Sequence, residues 1–175
     1  MMWKTIWLLG LALCISGLAQ AQEHEQPAVE IFGGPSVLRN GATAPSFSLY
    51  GGWQAEASAN FNKYLGVTAD FGGQYRSISG NRVSQYEYLF GPRVAARGHT
   101  GTVFVHALVG GNTFKALGRS TNGFAWGLGG GLDLNAGRHI AIRVIQADYL
   151  RTRLSNSWFN DARLGVGIVF KFGER

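Results

Sequence analysis

Residues that could do chemistry are few and scattered in this sequence of 175 residues. The four histidines are His24, His99, His106 and His139, and no two of them have the spacing of metal ligands. The one cysteine, Cys14, lies in an apolar segment near the start of the chain. A hydrolytic triad needs a nucleophile, a base and a group that orients the base, and the sequence offers no such set. We therefore predict no metal site, no cofactor and no enzymatic activity.

The charged residues show a clearer pattern, because they alternate with apolar residues. The segment 162–172 places six apolar residues in one row and puts Arg163 and Lys171 in the other row. A period of two predicts a β-strand with two different faces. A row of about eleven residues is also the length that a tilted strand needs to cross a bilayer. This segment therefore predicts a membrane-spanning strand.

Seven other segments have a similar period, which gives about eight strands and no helix between them. Pro35 in the first segment predicts a rim, a bulge or a sheet edge. In the seventh segment the alternation breaks near Ile145, which predicts a β-bulge. Short turns are expected near 62–64, 96–101 and 135–139, and longer loops near 39–46, 76–84, 112–122 and 151–160. The sequence predicts an all-β fold, an antiparallel transmembrane β-barrel.

The two faces of these strands differ in size and charge. One face holds large aromatic residues, and the other holds mostly Gly, Ser, Thr and Gln with the charges. Eight strands enclose little more than side chains, so we expect the aromatic face to point toward lipid. We expect the charges to form a paired network inside, with the lining of a selective channel as the alternative. The predicted interior charges are Glu56, Asp70, Glu87, Arg93, Asp133, Arg143, Asp148, Arg163 and Lys171.

The fifth segment is ambiguous as to which face points inward, since Phe104, His106 and Leu108 share the face opposite to its valines.

Aromatic residues also cluster near the two ends of the predicted strands, as two membrane interfaces require. The expected belts are Phe61, Tyr64, Phe170 and Phe172 at the short turns, and Tyr50, Tyr75, Tyr86, Phe124, Tyr149 and Trp158 at the longer loops.

Composition and the first residues favour an exported membrane protein. The chain has 26 Gly, 13% aromatic residues and only 15% charged residues, unlike most soluble proteins. A soluble all-β barrel or sandwich remains the alternative.

A basic start, an apolar run and Ala19-Gln20-Ala21 predict a cleaved signal peptide at 1–21. A flexible leader at 22–27 and the barrel domain at 28–175 then follow. The net charge of +6 contains no block of like charges, which argues against a nucleic-acid partner.

These features resemble the small outer-membrane β-barrel family typified by the OmpA barrel and OmpX. The resemblance rests on the signal ending, the alternating strands, the glycine-rich run 127–131 and the aromatic terminal strand. It implies a monomer in the outer membrane of a Gram-negative envelope. It also implies that Phe170 and Phe172 form the signal read by the barrel-assembly machinery, although Gly173-Glu174-Arg175 follows here. A lipid-modifying enzyme of that membrane is a less favoured interpretation, because the His-x-Ser pair of the outer-membrane lipid A deacylases is absent from the sequence.

The predicted longer loops carry cations and no acid. These residues are Arg39, Arg76, Arg82, Lys115, Arg119, Arg151 and Arg153. Arginine suits the phosphates of lipopolysaccharide, while a solvated basic surface is the alternative. We expect an envelope protein with a structural or interaction role and contact with lipopolysaccharide, and as an alternative a narrow pore or small-molecule channel.

Overall fold

The computed structural model describes residues 27–40, 48–78, 80–154 and 157–174. Eight strands make up nearly all of this part of the chain. Their bounds are β1 Pro27–Asn40, β2 Ser48–Asn60, β3 Leu65–Ile78, β4 Asn81–Arg97, β5 Gly101–Ala116, β6 Arg119–Asn135, β7 Ile140–Leu154 and β8 Ser157–Glu174. The predicted signal peptide and most of the predicted leader lie outside the described residues. The barrel begins at Pro27, one residue earlier than predicted.

Every strand pairs antiparallel with the next strand in sequence, and β8 pairs with β1 to close the ring. The all-β class and the eight-stranded closed barrel are therefore confirmed. Closure leaves no strand edge without a partner, so the sheet satisfies its own backbone groups. Within the described ranges no helix has the length and apolar character needed to span a membrane.

The predicted longer loops are wrong at three of their four places. β3 continues to Ile78, β5 to Ala116 and β7 to Leu154, so the connections to the following strands are only two residues long. The alternation of apolar and polar residues is lost in these strand ends, because both of their faces carry polar residues. The segments therefore resembled loops in the sequence. The connection between β1 and β2 falls outside the described residues.

The β5–β6 turn shows how such long strands are joined. Leu117 and Gly118 both have a positive φ, of 51° and 72°. A two-residue hairpin of type I′ requires positive φ at both central residues, and this turn matches the twist of the flanking strands. Glycine adopts this conformation freely, whereas leucine does so rarely. The sequence signal for this hairpin was therefore weak.

The predicted bulge in β7 is confirmed. Asp133 of β6 pairs with Arg143, while the neighbouring Leu132 pairs with Ile145, so the register shifts by one residue. The β7–β8 ladder shifts at the same place. The extra residue returns Gln146 and Asp148 to the interior, where both are buried. A bulge thus keeps the polar row of this strand continuous inside the barrel.

Pro35 does not lie at a rim, a bulge or an edge as predicted. It lies in the middle of β1, and the register to β8 is the same on both sides of it. The ladder only loses its pairs between Gly33 and Ser36. Pro92 interrupts the β4–β5 ladder in the same way, between Phe90 and Arg93. Proline has no N–H to donate, and a closed barrel tolerates this local loss because the pairs on either side hold the register.

The faces of the strands are arranged as the alternation predicts. Trp53, Phe71 and Ile168 lie on the outer face and are 43%, 48% and 47% exposed. Tyr50 was expected in the outer aromatic belt but is fully buried inside. Its even position on β2 places it in the same row as Gln54 and Glu56, so the alternation outweighs its closeness to the strand end.

The interior of the barrel contains apolar side chains as well as charges. One buried cluster lies toward the two-residue turns and consists of Leu38, Tyr50, Val83, Leu89, Leu108, Ala125 and Leu150, with Phe114 and Ala116 packed against it. A smaller cluster of Phe32, Ala141 and Val169 lies toward the chain termini. The burial of Phe104 and Leu108 resolves the ambiguity of β5, because it places this face inside the barrel.

Candidate functional site

Charge is strongly segregated between the interior and the outside of the barrel. Each acid whose side chain the structure describes is buried, and the set is Glu30, Glu56, Asp70, Glu87, Asp133, Asp148 and Asp161. The fully buried cations are Arg93, Arg143 and Arg163. The other described cations lie toward the two ends and on the outer surface. The interior is therefore acidic, and the outer surface of the described barrel is basic.

The half of the interior nearer the termini is built on stacked rings and guanidinium groups. The Arg143 guanidinium lies between the rings of Phe32 and Phe104, at 4.1 and 4.3 Å from their centroids. The Arg93 guanidinium lies 4.2 Å from the Phe104 ring. Arg143 Nε donates to Asp133 Oδ1 at 2.7 Å, and Arg93 donates to Glu30. Cation–π contacts are stronger where water is excluded, so this stack fixes both guanidinium groups.

Arg163 is the centre of the next set of ion pairs. Its guanidinium lies 2.8 Å from Asp70 Oδ1, 3.1 Å from Glu87 Oε2 and 2.8 Å from Asp148 Oδ2. These three acids come from β3, β4 and β7, so one side chain of β8 connects both sides of the barrel. Gly72 provides space for it, because a Cβ at that position would lie 2.9 Å from Arg163 Nη1. The arginine is fully buried, which makes this a desolvated network.

His106 faces the interior and contacts two carboxylates. Its Nε2 lies 2.9 Å from Asp148 Oδ1, and its Nδ1 lies 3.7 Å from Glu56 Oε2. Gly129, in the glycine-rich run of β6, lies directly beside this contact. A Cβ at Gly129 would lie 2.0 Å from Asp148 Oδ1 and 2.7 Å from His106 Nε2. The glycine is therefore needed for the close approach of the two side chains.

Neutral side chains complete the network. Gln54 Nε2 donates to Asp70 Oδ2 at 2.6 Å, and Gln85 Nε2 donates to Glu87 Oε1 at 2.9 Å. Gln146 Nε2 donates to Asp148 Oδ2 at 3.1 Å. An amide donor next to a carboxylate satisfies acceptor sites that the few buried cations cannot reach. The glutamines thus donate hydrogen bonds to buried acids, which outnumber the three buried arginines.

The sequence prediction omitted two of the interior acids. Glu30 shares the even row of β1 with Ser36, and the alternation could have revealed it. Asp161 lies between the predicted loop 151–160 and the predicted strand 162–172, whereas in the structure it belongs to β8 and shares the inward, odd row of Arg163. One predicted interior charge, Lys171, is only half-buried and donates to Asn135 Oδ1 at 2.5 Å, near the turn 136–139.

The predicted lipopolysaccharide-contact residues lie together at the end of the barrel with the two-residue turns. They lie on the ends of strands and not on the longer loops expected from the sequence. The exposed members are Arg39, Arg82, Lys115, Arg119 and Arg153, while Arg76 and Arg151 are partly buried. We call these seven residues the basic rim. Within the described residues, the acids nearest to the rim are buried inside the barrel.

Aromatic rings hold several of these cations in place. Arg151 and Arg153 both lie over the ring of Trp158, with Cζ at 5.1 and 5.9 Å from the centroid. Lys115 Nζ lies 5.4 Å from the centroid of the Tyr86 ring. Arg76 Cζ lies 5.8 Å from the ring of the buried Tyr50. The rim therefore combines cations with the aromatic belt expected at a membrane interface.

The remaining predicted residues lie on the outer face of β8 or in the turns. Phe170 and Phe172 lie on the outer face of β8 and are about half-exposed, as are the apolar residues around them. His99 and His139 lie in the turns 98–100 and 136–139. Among the described residues, no group of three or more His, Cys, Asp or Glu has an arrangement that could hold a metal ion.

Solved structures with a similar backbone share this architecture. Neisserial surface protein A has a TM-score of 0.71 at 12% identity, and the match covers 86% of this chain and 100% of that one. This chain has the fold of the small eight-stranded outer-membrane barrels. OprG from Pseudomonas aeruginosa follows with a TM-score of 0.55 at 12% identity, over 87% of this chain and 99% of that one.

A third similar structure was solved with a ligand. Ail, the attachment invasion locus protein of Yersinia pestis, in complex with the heparin analogue sucrose octasulfate, has a TM-score of 0.51 at 19% identity, over 85% of this chain and 100% of that one. No protein-family model matches the sequence, and no curated protein matches it significantly. The resemblance to small outer-membrane barrels is confirmed at the level of the fold.

Proposed function

We propose that this protein is an outer-membrane barrel with a structural and interaction role, whose basic rim binds the phosphates of lipopolysaccharide. The observation that carries the proposal is the segregation of charge. The described acids are inside the barrel, whereas the basic rim gathers seven cations at one end. Arginine binds phosphate through two parallel hydrogen bonds, and lipopolysaccharide supplies phosphates in the outer leaflet.

The length of the strands supports a proposed position of the barrel in the membrane. The described strands contain 13 to 18 residues, more than the roughly 9–11 needed to cross the hydrocarbon region. The strand ends therefore project beyond the apolar band. In this proposal the termini and the turns 61–64, 98–100 and 136–139 face the periplasm, and the basic rim faces outward.

The test compares binding of two lipids by two proteins. The protein is reconstituted in vesicles of neutral phosphatidylcholine with or without lipopolysaccharide, and lipid association is measured at low and high salt. We expect a preference for lipopolysaccharide that weakens as salt rises, because exposed charges are screened. The fourfold substitution of Arg76, Arg82, Arg151 and Arg153 by Gln should remove the preference. Equal binding by the parent and this variant at low salt would contradict the proposal.

A non-conducting barrel is part of the proposal. The apolar cluster extends from the β5–β6 turn to Leu108, and the Arg93–Phe104–Arg143–Phe32 stack fills the other half. Eight-stranded barrels are in general filled by their side chains. We expect no unit conductance in planar bilayers. Regular conductance steps that persist at high purity would favour the alternative, a narrow pore.

Mass spectrometry of lipid A from cells tests the enzyme alternative. In this proposal, cells with and without the protein have identical lipid A masses. A change in acyl or phosphate content that depends on the protein would favour a lipid-modifying activity instead.

A further inference from the structure

The basic rim is not uniform, because its cations differ in direction and in neighbours. Arg76 extends over the buried Tyr50 at the mouth of the barrel. Arg82 and Lys115 lie on β4 and β5, on one side of the barrel. Arg151 and Arg153 lie on β7, on another side, and occupy the same outward row. A ligand at the rim therefore meets different chemistry on different sides.

Arg151 and Arg153 are enclosed by aromatic neighbours on the two adjacent strands. Arg153 pairs across the sheet with Phe124 of β6 and with Trp158 of β8. Arg151 pairs with Trp126 and Asn160. Phe124 and Trp158 lie edge to face at 6.5 Å, which places these rings against each other at Arg153. We call Arg151, Arg153, Phe124, Trp126 and Trp158 the β7 patch.

Two features of the β7 patch favour a phosphate. Residues two apart along a strand are roughly 7 Å apart, so both guanidinium groups can reach one phosphate from either side. Both also lie near the ring of Trp158, which limits their freedom before any ligand binds. Among the described residues the buried Arg151 Nε has no hydrogen-bond partner, and an anion that draws this side chain outward would satisfy the donor.

The surroundings favour a lipid over a soluble anion. Phe124 and Trp158 are 50% and 42% exposed, and they lie on the outer wall. The rings of Trp126 and Tyr149 lie 6.2 Å from each other on the same wall, and the apolar residues Leu128 and Leu164 continue it. A molecule that places phosphate on the arginines would thus place apolar groups on this wall. Soluble polyanions supply no such groups.

From this arrangement we infer that the β7 patch is a specific subsite for a phosphate of an outer-leaflet glycolipid. This inference rests on the proposed function and names the part of the basic rim that carries it. The two arginines bind the phosphate, and the rings of Phe124 and Trp158 pack against the sugar or the first carbons of the acyl chains. The β4–β5 side of the rim adds only general positive charge.

The test uses two double variants that each remove two cations. Arg151→Gln with Arg153→Gln alters the β7 patch, and Arg82→Gln with Lys115→Gln is the matched control. Each protein, in detergent micelles, is titrated with phosphorylated lipid A, and binding is measured by native mass spectrometry. We expect the β7 variant to bind about tenfold more weakly, the scale of one lost charged hydrogen bond, and the control variant to change much less.

A second pair of variants separates geometry from charge. Arg151→Lys with Arg153→Lys keeps the charge but loses the planar fork of arginine, so we expect an intermediate affinity. Unchanged heat-dependent migration of the folded barrel on gels verifies that each variant is folded. Full affinity in the lysine variant would overturn the role of arginine geometry and with it the specific subsite.

Two further ligands identify the source of the anion. Dephosphorylated lipid A should bind the parent and the β7 variant equally, whereas heparin should not compete with phosphorylated lipid A. Competition by heparin at the same sites would overturn the lipid assignment. If the two double variants lose affinity equally, the subsite is wrong while the proposed function stands. If the parent itself does not distinguish phosphorylated from dephosphorylated lipid A, the proposed function fails as well.

Discussion

Arg163 and Arg153 lie on neighbouring strands, and their surroundings differ completely. Arg163 is fully buried and is within 3.1 Å of three carboxylates from three other strands. Arg153 is exposed on the outer wall, where the ring of Trp158 lies 5.9 Å away. The same residue type therefore stabilises the barrel at Arg163 and presents positive charge to the surroundings at Arg153. What decides the role is whether water and carboxylates are near, because desolvation makes a lost partner costly.

The largest effect is expected from removing the central cation of the interior. Arg163→Met leaves Asp70, Glu87 and Asp148 buried without their shared partner. We expect a loss of about 3–5 kcal/mol in the free energy of unfolding, as for other buried pairs that lose one member. Urea unfolding from lipid vesicles measures it. Arg82→Met on the basic rim is the matched control and should change stability by less than about 0.5 kcal/mol. Equal effects of both variants would remove the distinction between interior and rim.

A smaller loss in the free energy of unfolding is expected where a glycine leaves room for two interior side chains. Gly129→Ala would place a Cβ against Asp148 and His106, so the two side chains must separate. We expect a cost of roughly 1–3 kcal/mol, the usual scale of overpacking. Gly33→Ala is the control, because nothing lies within 4 Å of its added Cβ. A variant at Gly129 that is as stable as the Gly33 variant would show that the His106–Asp148 contact does not restrict this position.

The assignment of the two faces can be tested by fluorescence. Trp53 and Trp126 have outer-wall positions, so a quencher attached to lipid acyl chains should reach both of them. An aqueous quencher should have little access to either. Quenching of these residues by the aqueous reagent alone would reverse the inside and outside of the barrel.

The smallest effect on stability is expected from the basic rim as a whole. The fourfold replacement of Arg76, Arg82, Arg151 and Arg153 by Gln should leave the free energy of unfolding within about 1 kcal/mol of the parent, since exposed ion pairs and charges contribute little. Urea titration of the same reconstituted protein measures it. A large loss of stability would mean that the rim is part of the structural network, and its role in binding would need another explanation.

Local alternation was sufficient to predict the barrel and the side of the wall on which most charges lie. Sequence patterns led to wrong predictions where the location of a residue depends on its place in the barrel and not on its residue type. Tyr50 is aromatic and near a strand end, yet its row places it inside. The segments 112–122 and 151–160 carry polar residues on both faces, among apolar ones, where the strands extend beyond the apolar band. Their local pattern predicts loops, since nothing in it distinguishes a solvated strand from a loop.

The sequence by itself determined the strand period, the bulge in β7 and the residue types of the two faces, because these depend on neighbours along one strand. Only the tertiary structure decided which acids share Arg163 and which rings enclose Arg143. It also decided that Arg151 and Arg153 meet Phe124 and Trp158. Such contacts depend on the register and closure of eight strands, which bring residues distant in sequence together. No local pattern in the chain specifies that register.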